Sequence, residues 1–187
     1  LKLLGENPAQ KWLNAAIAIS SPLKLSECAK SINHGFSRVY QKYLLNSIKT
    51  TLRKKMSFID YRKLIQLTGD DVDGISSFAQ FDEKVTAPLH GFEDANDYYE
   101  KCSAYHFLSA IHCPTLVLHS IDDPFMNHLV VPKEEELARN VTLELSERGG
   151  HVGFMQGSVF SPKVWLHERV KRYVSDVLPI NPTTPYV

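Results

Sequence analysis

Three short apolar stretches, set far apart along the chain, constrain its fold more than any other feature. Ala15-Ala16-Ile17-Ala18-Ile19 stops at Ser20-Ser21-Pro22 and, bounded in that way, reads as a buried strand of a parallel sheet. Thr115–His119, following Pro114, is a second short strand. Val141–Leu145 is a third, with the alternation of a strand. Between the first two the pattern turns helical. Phe36, Val39, Tyr40, Tyr43, Leu44, Ile48 and Leu52 fall at i, i+3, i+4, i+7, i+8, i+12 and i+16. Ile59–Leu67 and Phe92–Cys102 are expected as further helices, the latter starting near Asp94 or Asn96. Leu1–Leu4 reads as a last helical turn with Gly5 as its C-cap. Pro132–Arg139 is expected as a helix with three glutamates near its positive end. Ser161-Pro162 is expected as the N-cap and first residue of a final helix carrying Leu166, Val170, Tyr173, Val174 and Val177 on one face. The order strand, helical insertion, strand, helix, strand, loop, helix is an α/β pattern. It divides the chain into residues 1–22 (a helix end and one core strand), 23–105 (a helical cap), 106–178 (a C-terminal core) and 179–187 (a proline-rich tail).

Composition excludes several classes. At 187 residues, 43% apolar and 22% charged, the chain suits a globular domain with a real core and not a disordered, collagenous or coiled-coil one. Lys+Arg and Asp+Glu are 21 each, without the basic excess of a nucleic-acid binder. Cys28, Cys102 and Cys113 have no CxxC spacing, which argues against a disulfide scaffold or structural zinc and for a reducing, cytoplasmic setting. No apolar run reaches the ~18 residues of a transmembrane segment. Asp70-Asp71-Val72-Asp73-Gly74 imitates a calcium loop, but placing Gly74 sixth puts Gly69 first and Gln80 twelfth, where key ligands belong, so a solvated turn is expected. The histidines show no HExxH-like spacing. Neither metal nor cofactor is expected.

Two loops carry the chemistry. His119-Ser120-Ile121-Asp122-Asp123-Pro124-Phe125 places a carboxylate pair just past a buried strand, at the edge where open α/β sheets collect catalytic groups. Glu147-Arg148-Gly149-Gly150-His151-Val152-Gly153-Phe154 places a histidine among glycines after the next strand. Asp123 and His151 are 28 residues apart, one strand–helix–strand step, so both fall at one sheet edge. An acid and then a histidine are the last two members of a Ser…Asp…His order.

These residues resemble the α/β-hydrolase fold, and within it the bacterial YheT-like hydrolases and their eukaryotic abhydrolase-domain relatives. The matching stretches are Ile32–Leu45, His90-Gly91-Phe92 with Asp97-Tyr98-Tyr99, Cys102-Ser103-Ala104, Pro114–Met126 and Gly149–Phe154. The resemblance implies the C-terminal portion of a serine hydrolase, a carboxylesterase acting on an acyl ester or lipid-like substrate without a cofactor. It implies Asp123 as the charge-relay acid, because the family's acid directly precedes a Pro-Phe pair, with Asp122 as a neighbouring turn residue. His151 becomes the general base. The family's Gly-x-Ser-x-Gly nucleophile elbow falls before Leu1 in this alignment, so the chain alone is expected to be inactive. Gly35-Phe36-Ser37-Arg38-Val39 imitates the elbow without its second glycine, and Ser37 is expected as a cap or lid residue. Ser20, Ser21, Ser103 and Ser120 have no elbow either. Thioesterase, epoxide hydrolase or dehalogenase chemistry, and a non-catalytic binding module, remain the alternatives that the elbow residue decides.

The cap is electrically split. Residues 41–64 hold Lys42, Lys49, Arg53, Lys54, Lys55, Arg62 and Lys63 against one acid, Asp60, whereas residues 70–100 hold nine acids against Lys84. The two stretches are expected to face each other or solvent, in preference to binding an anionic lipid. The strand at Ala15–Ile19 is expected to have an open edge, filled by the remainder of the hydrolase, a second chain or self-pairing.

Overall fold

The computed structural model describes residues 1–61, 64–158 and 160–178. Along the chain run α1 (Lys2–Glu6), β1 (Ala16–Ile19), α2 (Leu25–Ser31), α3 (Ser37–Met56), α4 (Gly69–Gly74), α5 (Phe78–Phe81), a π-helical turn (Asp82–Thr86), α6 (Ala87–His90) and α7 (Ala95–Cys102). After a 3-10 stretch (Ala104–Ala110) come β2 (Thr115–Ser120), β3 (Val141–Ser146), β4 (Met155–Ser158), β5 (Ser161–Val164) and α8 (Trp165–Val177). The chain forms two compact units. One contains residues 1–23, 104–123 and 131 onward, and the other contains residues 24–103 and 124–130.

The first unit is the α/β unit. Its sheet has the order β1-β2-β3, all parallel, with Ala16 opposite Thr115 and Thr115 opposite Val141. Every residue of central β2 is buried, as a parallel strand covered on both faces must be. Leu166, Tyr173 and Val177 of α8 pack with Leu116, Leu118, Ile17 and Ile19. Fully burying one such leucine stabilises the fold by roughly 1.5–3 kcal/mol. Arg169 adds a forked ion pair to Glu144 of β3, with Nε 2.8 Å from Oε2. Val174, expected on the inner face, is 40% exposed.

Three expectations for this unit are corrected. Gly5 lies inside α1, and Asn7 is the C-cap. A Cβ on Gly5 would collide with the Phe107 carbonyl oxygen, so close packing explains this glycine. Pro132–Arg139 forms only a 3-10 turn at Glu134–Glu136. Eight residues are short for a helix, and only Leu137 and Ala138 offer apolar surface to hold one. Ser161-Pro162 does not open α8; it belongs to β5, which pairs antiparallel with β4. Pro162 sits there in a two-stranded ribbon, where a missing N–H is tolerated. α8 starts at Trp165 without a side-chain cap.

The second unit is helical. Leu45 and Leu52 of α3 pack with Ile65, Val72, Ile75, Phe81 and Val85. The expected α3 stripe is largely on the other side. Ser37, Gln41, Leu45 and Leu52 are buried, whereas Phe36 is 74% and Tyr43 is 73% exposed. The helix is apolar over more than one face, and periodicity alone did not choose between them. In Ile59–Leu67 the described residues form no helix, and the Leu64 and Ile65 amides both donate to the Tyr61 carbonyl at 2.8 Å. Ile59 and Leu64 are exposed, leaving Ile65 as the deeply buried anchor. α7 starts as expected, with the Asp94 carboxylate accepting from the Asp97 amide at 2.8 Å. The Asp70–Gly74 stretch is a helical turn, not a loop. Thr68 and Asp71 close a capping box over it, and Asp73 pairs with Arg53. Lys49 donates to the carbonyls of Asp73 and Ile75 at 2.6 and 2.8 Å. These contacts join the basic and acidic stretches. Arg62, Lys63 and the 179–187 tail lie outside the described residues.

Residues 124–130 group with this helical unit. Ser37 is buried as the first residue of α3 and donates to the Pro124 carbonyl, so it does not cap the helix. Phe125 meets the Tyr40 ring edge-on at 5.4 Å, and Asn127 donates to Glu27 at 3.0 Å.

Candidate active site

β2 and β3 are adjacent and parallel, so the loops leaving their C-terminal ends start side by side. The Ile121 amide donates to the Ser146 carbonyl at 2.8 Å and holds the two exits together. The β2 exit turns inward at once and places the Asp123 side chain fully out of solvent. The β3 exit folds into a tight turn, with the Gly153 and Phe154 amides both donating to the Gly149 carbonyl, at 2.9 and 3.0 Å. A Cβ on Gly149 would stand 2.8 Å from the Phe154 ring, and Gly150 has φ +55°, so this turn depends on its glycines. It presents His151 to Asp123, with Nδ1 2.9 Å from Oδ2. An ionised carboxylate only accepts, so the contact places the imidazole proton on Nδ1. The His151 side chain is 37% exposed while its partner is buried.

An acid and a histidine paired in this order, at the carboxyl edge of a parallel sheet, invite comparison with known hydrolases. The chain is 40% identical over 166 residues to "Putative esterase YheT" of Escherichia coli (strain K12), covering 89% of this chain and 48% of that protein. It is 30% identical over 170 residues to an "Abhydrolase domain-containing protein" of Dictyostelium discoideum, covering 89% of this chain and 42% of that one. It is 28% identical over 195 residues to "Monoacylglycerol lipase ABHD2" of Danio rerio, covering 94% and 44%. The chain belongs to the α/β-hydrolase family. It spans about half the length of the curated α/β-hydrolase relatives it matches. No family profile and no solved structure matches it.

In this α/β hydrolase the neighbour of Asp123 does more than form a turn. Asp122 Oδ1 accepts from the Gly149 and Gly150 amides at 2.9 and 2.8 Å, and from the Ser120 hydroxyl. The Ser120 hydroxyl holds the Asp122 carboxyl below its ordinary value, with burial opposing it and the Gly150 and Gly149 amides adding to it. On the far side of the loop, the Ser20 hydroxyl donates to the His151 carbonyl. Ser20 is buried at the end of β1 with φ +48°, an unusual conformation for a residue with a Cβ. Sequence reasoning gave Asp122 only a place in a turn and set Ser20 aside for want of an elbow, and it assigned neither a contact with the His151 loop. The available signal was an Asp-Asp doublet facing a Gly-Gly loop, whose backbone amides need acceptors.

Four of the serines weighed as nucleophiles have other acceptors. Ser20 donates to His151 O, Ser37 to Pro124 O, Ser103 to Tyr99 O at 2.6 Å, and Ser120 to Asp122. His34 and His90 are exposed in the helical unit. Among the described residues no group of three or more His, Cys, Asp or Glu is placed to hold a metal ion. No described helix is long and apolar enough to cross a membrane.

His119, the penultimate residue of β2, is buried beside the pair. Burial pushes its imidazole below the ordinary 6.5, the Asp123 charge opposes this, and His151 adds to it. Such a group binds fewer protons folded than unfolded once the pH drops below about 6.5. Its share of stability is whole at neutral pH and is lost as the pH falls through that value toward the folded one. The melting temperature is expected to decline from about pH 7 to about pH 5.5, and His119→Gln is expected to flatten the decline. An unaltered slope in the variant would show that His119 protonates alike in both states.

Proposed function

We propose that this chain supplies the acid and the base of a Ser-Asp-His triad in an ester hydrolase whose nucleophile lies upstream of residue 1. The contact between His151 Nδ1 and Asp123 Oδ2, 2.9 Å long, carries the reading. With Asp123 holding the proton on Nδ1, Nε2 is the nitrogen that takes a proton from an attacking serine. The serine oxygen bonds to the ester carbonyl carbon. His151 then returns the proton to the departing alcohol, leaving an acyl-enzyme. Water, deprotonated by the same imidazole, attacks the acyl carbon, and the serine recovers its proton as the carboxylic acid leaves.

The substrate class follows from the named relatives, one an esterase and one a monoacylglycerol lipase. Outward-facing Phe36, just before α3, and Tyr40 and Tyr43 on it give the helical unit an apolar surface of the kind an acyl chain favours. The sheet supports the upstream position of the nucleophile. Among the described residues β1 pairs on one side only, with β2, and its other edge suits a strand from the remainder of the hydrolase.

A fluorophosphonate probe tests the proposal. The protein extended upstream to include the elbow is expected to be labelled on a serine before Leu1. Absence of labelling in a folded extended protein would overturn the serine-esterase reading.

A further inference from the structure

We infer that Asp122 is a positioning residue for His151, acting through the backbone of the loop that carries it. The inference rests on the reading of Asp123 and His151 as acid and base. Each member of the Asp122-Asp123 doublet engages the same loop in a different way. Asp123 contacts the imidazole, whereas Asp122 contacts the two peptide groups just before it. One carboxylate oxygen accepts from two successive amides, Gly149 N at 2.9 Å and Gly150 N at 2.8 Å. Such charge-assisted bonds are stronger than neutral ones. Gly149 and Gly150 have the conformational freedom of glycine directly before His151, so a place that would otherwise wander is tied.

The tether is anchored in turn. The Ser120 hydroxyl donates to the same Asp122 oxygen, and Ser120 is the buried last residue of β2. Ser20 holds the loop from the end of β1 through the His151 carbonyl. The three strand ends and the loop therefore form one hydrogen-bonded unit around His151. The imidazole hangs from a backbone that is fixed on both sides. A displacement of about 1 Å at a reacting group costs on the order of a hundredfold in rate. Asp122 touches no reacting atom, and its effect passes wholly through where His151 sits.

Asp122→Ala and Asp122→Asn in the upstream-extended protein separate this role from a purely structural one. The asparagine keeps an oxygen that accepts from both amides, and the alanine does not. Nitrogen-15 spectra of the His151 ring are the first readout, because they register the tautomer whether or not the protein turns over ester. The native protein and Asp122→Asn are expected to hold the proton on Nδ1, and Asp122→Ala to show mixed tautomers. A single Nδ1–H tautomer in Asp122→Ala overturns the inference without touching the triad proposal. The second readout is kinetic. In Asp122→Ala, kcat is expected to fall about tenfold to a hundredfold with KM nearly unchanged, and Asp122→Asn is expected to recover most of it. Mixed tautomers with native kcat would also overturn the positioning role. If the native protein is inactive toward esters yet the ring spectra follow the expected order, the triad reading fails and the tether stands.

Discussion

His151→Ala in the upstream-extended protein is expected to lower ester turnover by on the order of a millionfold, the scale of losing the base of a serine triad. The loss belongs in kcat. The imidazole makes its decisive contact with the moving proton, so KM should change little. Residual turnover above the uncatalysed rate is expected, since substrate binding and any oxyanion donors survive the change. The variant also leaves buried Asp123 without its ring partner, which has a structural cost of its own. A melting curve on the same sample separates loss of the base from loss of the fold. Turnover within tenfold of native in a folded variant would remove His151 from the proposed role.

The sheet and the acid–histidine pair were legible because each rests on a strong local signal. Leu116-Val117-Leu118 is apolar throughout, as a doubly covered parallel strand must be, and the loop beyond it carries the polar Asp122-Asp123 doublet. The spacing from Asp123 to His151 then followed from one parallel crossover, although the crossover itself is not the expected helix. What failed was the choice among competing faces and ends. α3 has enough apolar residues for two faces, and buried Gln41 joins the inner one. Its amide donates to Asn33 at 2.8 Å and its oxygen accepts from the Phe78 amide at 3.1 Å. A polar residue satisfied from both sides carries no hydrophobic signal. Ser161-Pro162 imitates a helix start because serine and proline suit a turn or a ribbon edge equally well. Gly5 reads as a cap from its position and as a close-packing residue only once Phe107, distant in sequence, is in place. Asp122 reads as a mere turn residue because two of its partners are backbone amides, which every loop possesses and no pattern displays.

Asp123→Asn should cost about ten-thousandfold in kcat, a smaller loss than removal of the base and one with a different cause. The substitution keeps size and shape, so the loop and fold are preserved. The asparagine amide is able to donate toward Nδ1, and the imidazole then carries its proton on Nε2. In that tautomer the nitrogen facing the nucleophile has a proton to give and no lone pair to receive one. The variant also withdraws the negative charge that stabilises the imidazolium formed as the serine attacks. Asp122→Asn provides the matched control, since the same isosteric change one residue earlier leaves an acceptor for the Gly149 and Gly150 amides. The neighbouring carboxylates should therefore respond unequally, with the second losing far more kcat than the first. Equal losses would mean that both act through the loop alone, and a larger loss at Asp122 would reverse their assignment. The geometry favours the expected order because only Asp123 reaches the ring, with Oδ2 2.9 Å from Nδ1, while Asp122 stops at the peptide groups that hold the ring in place.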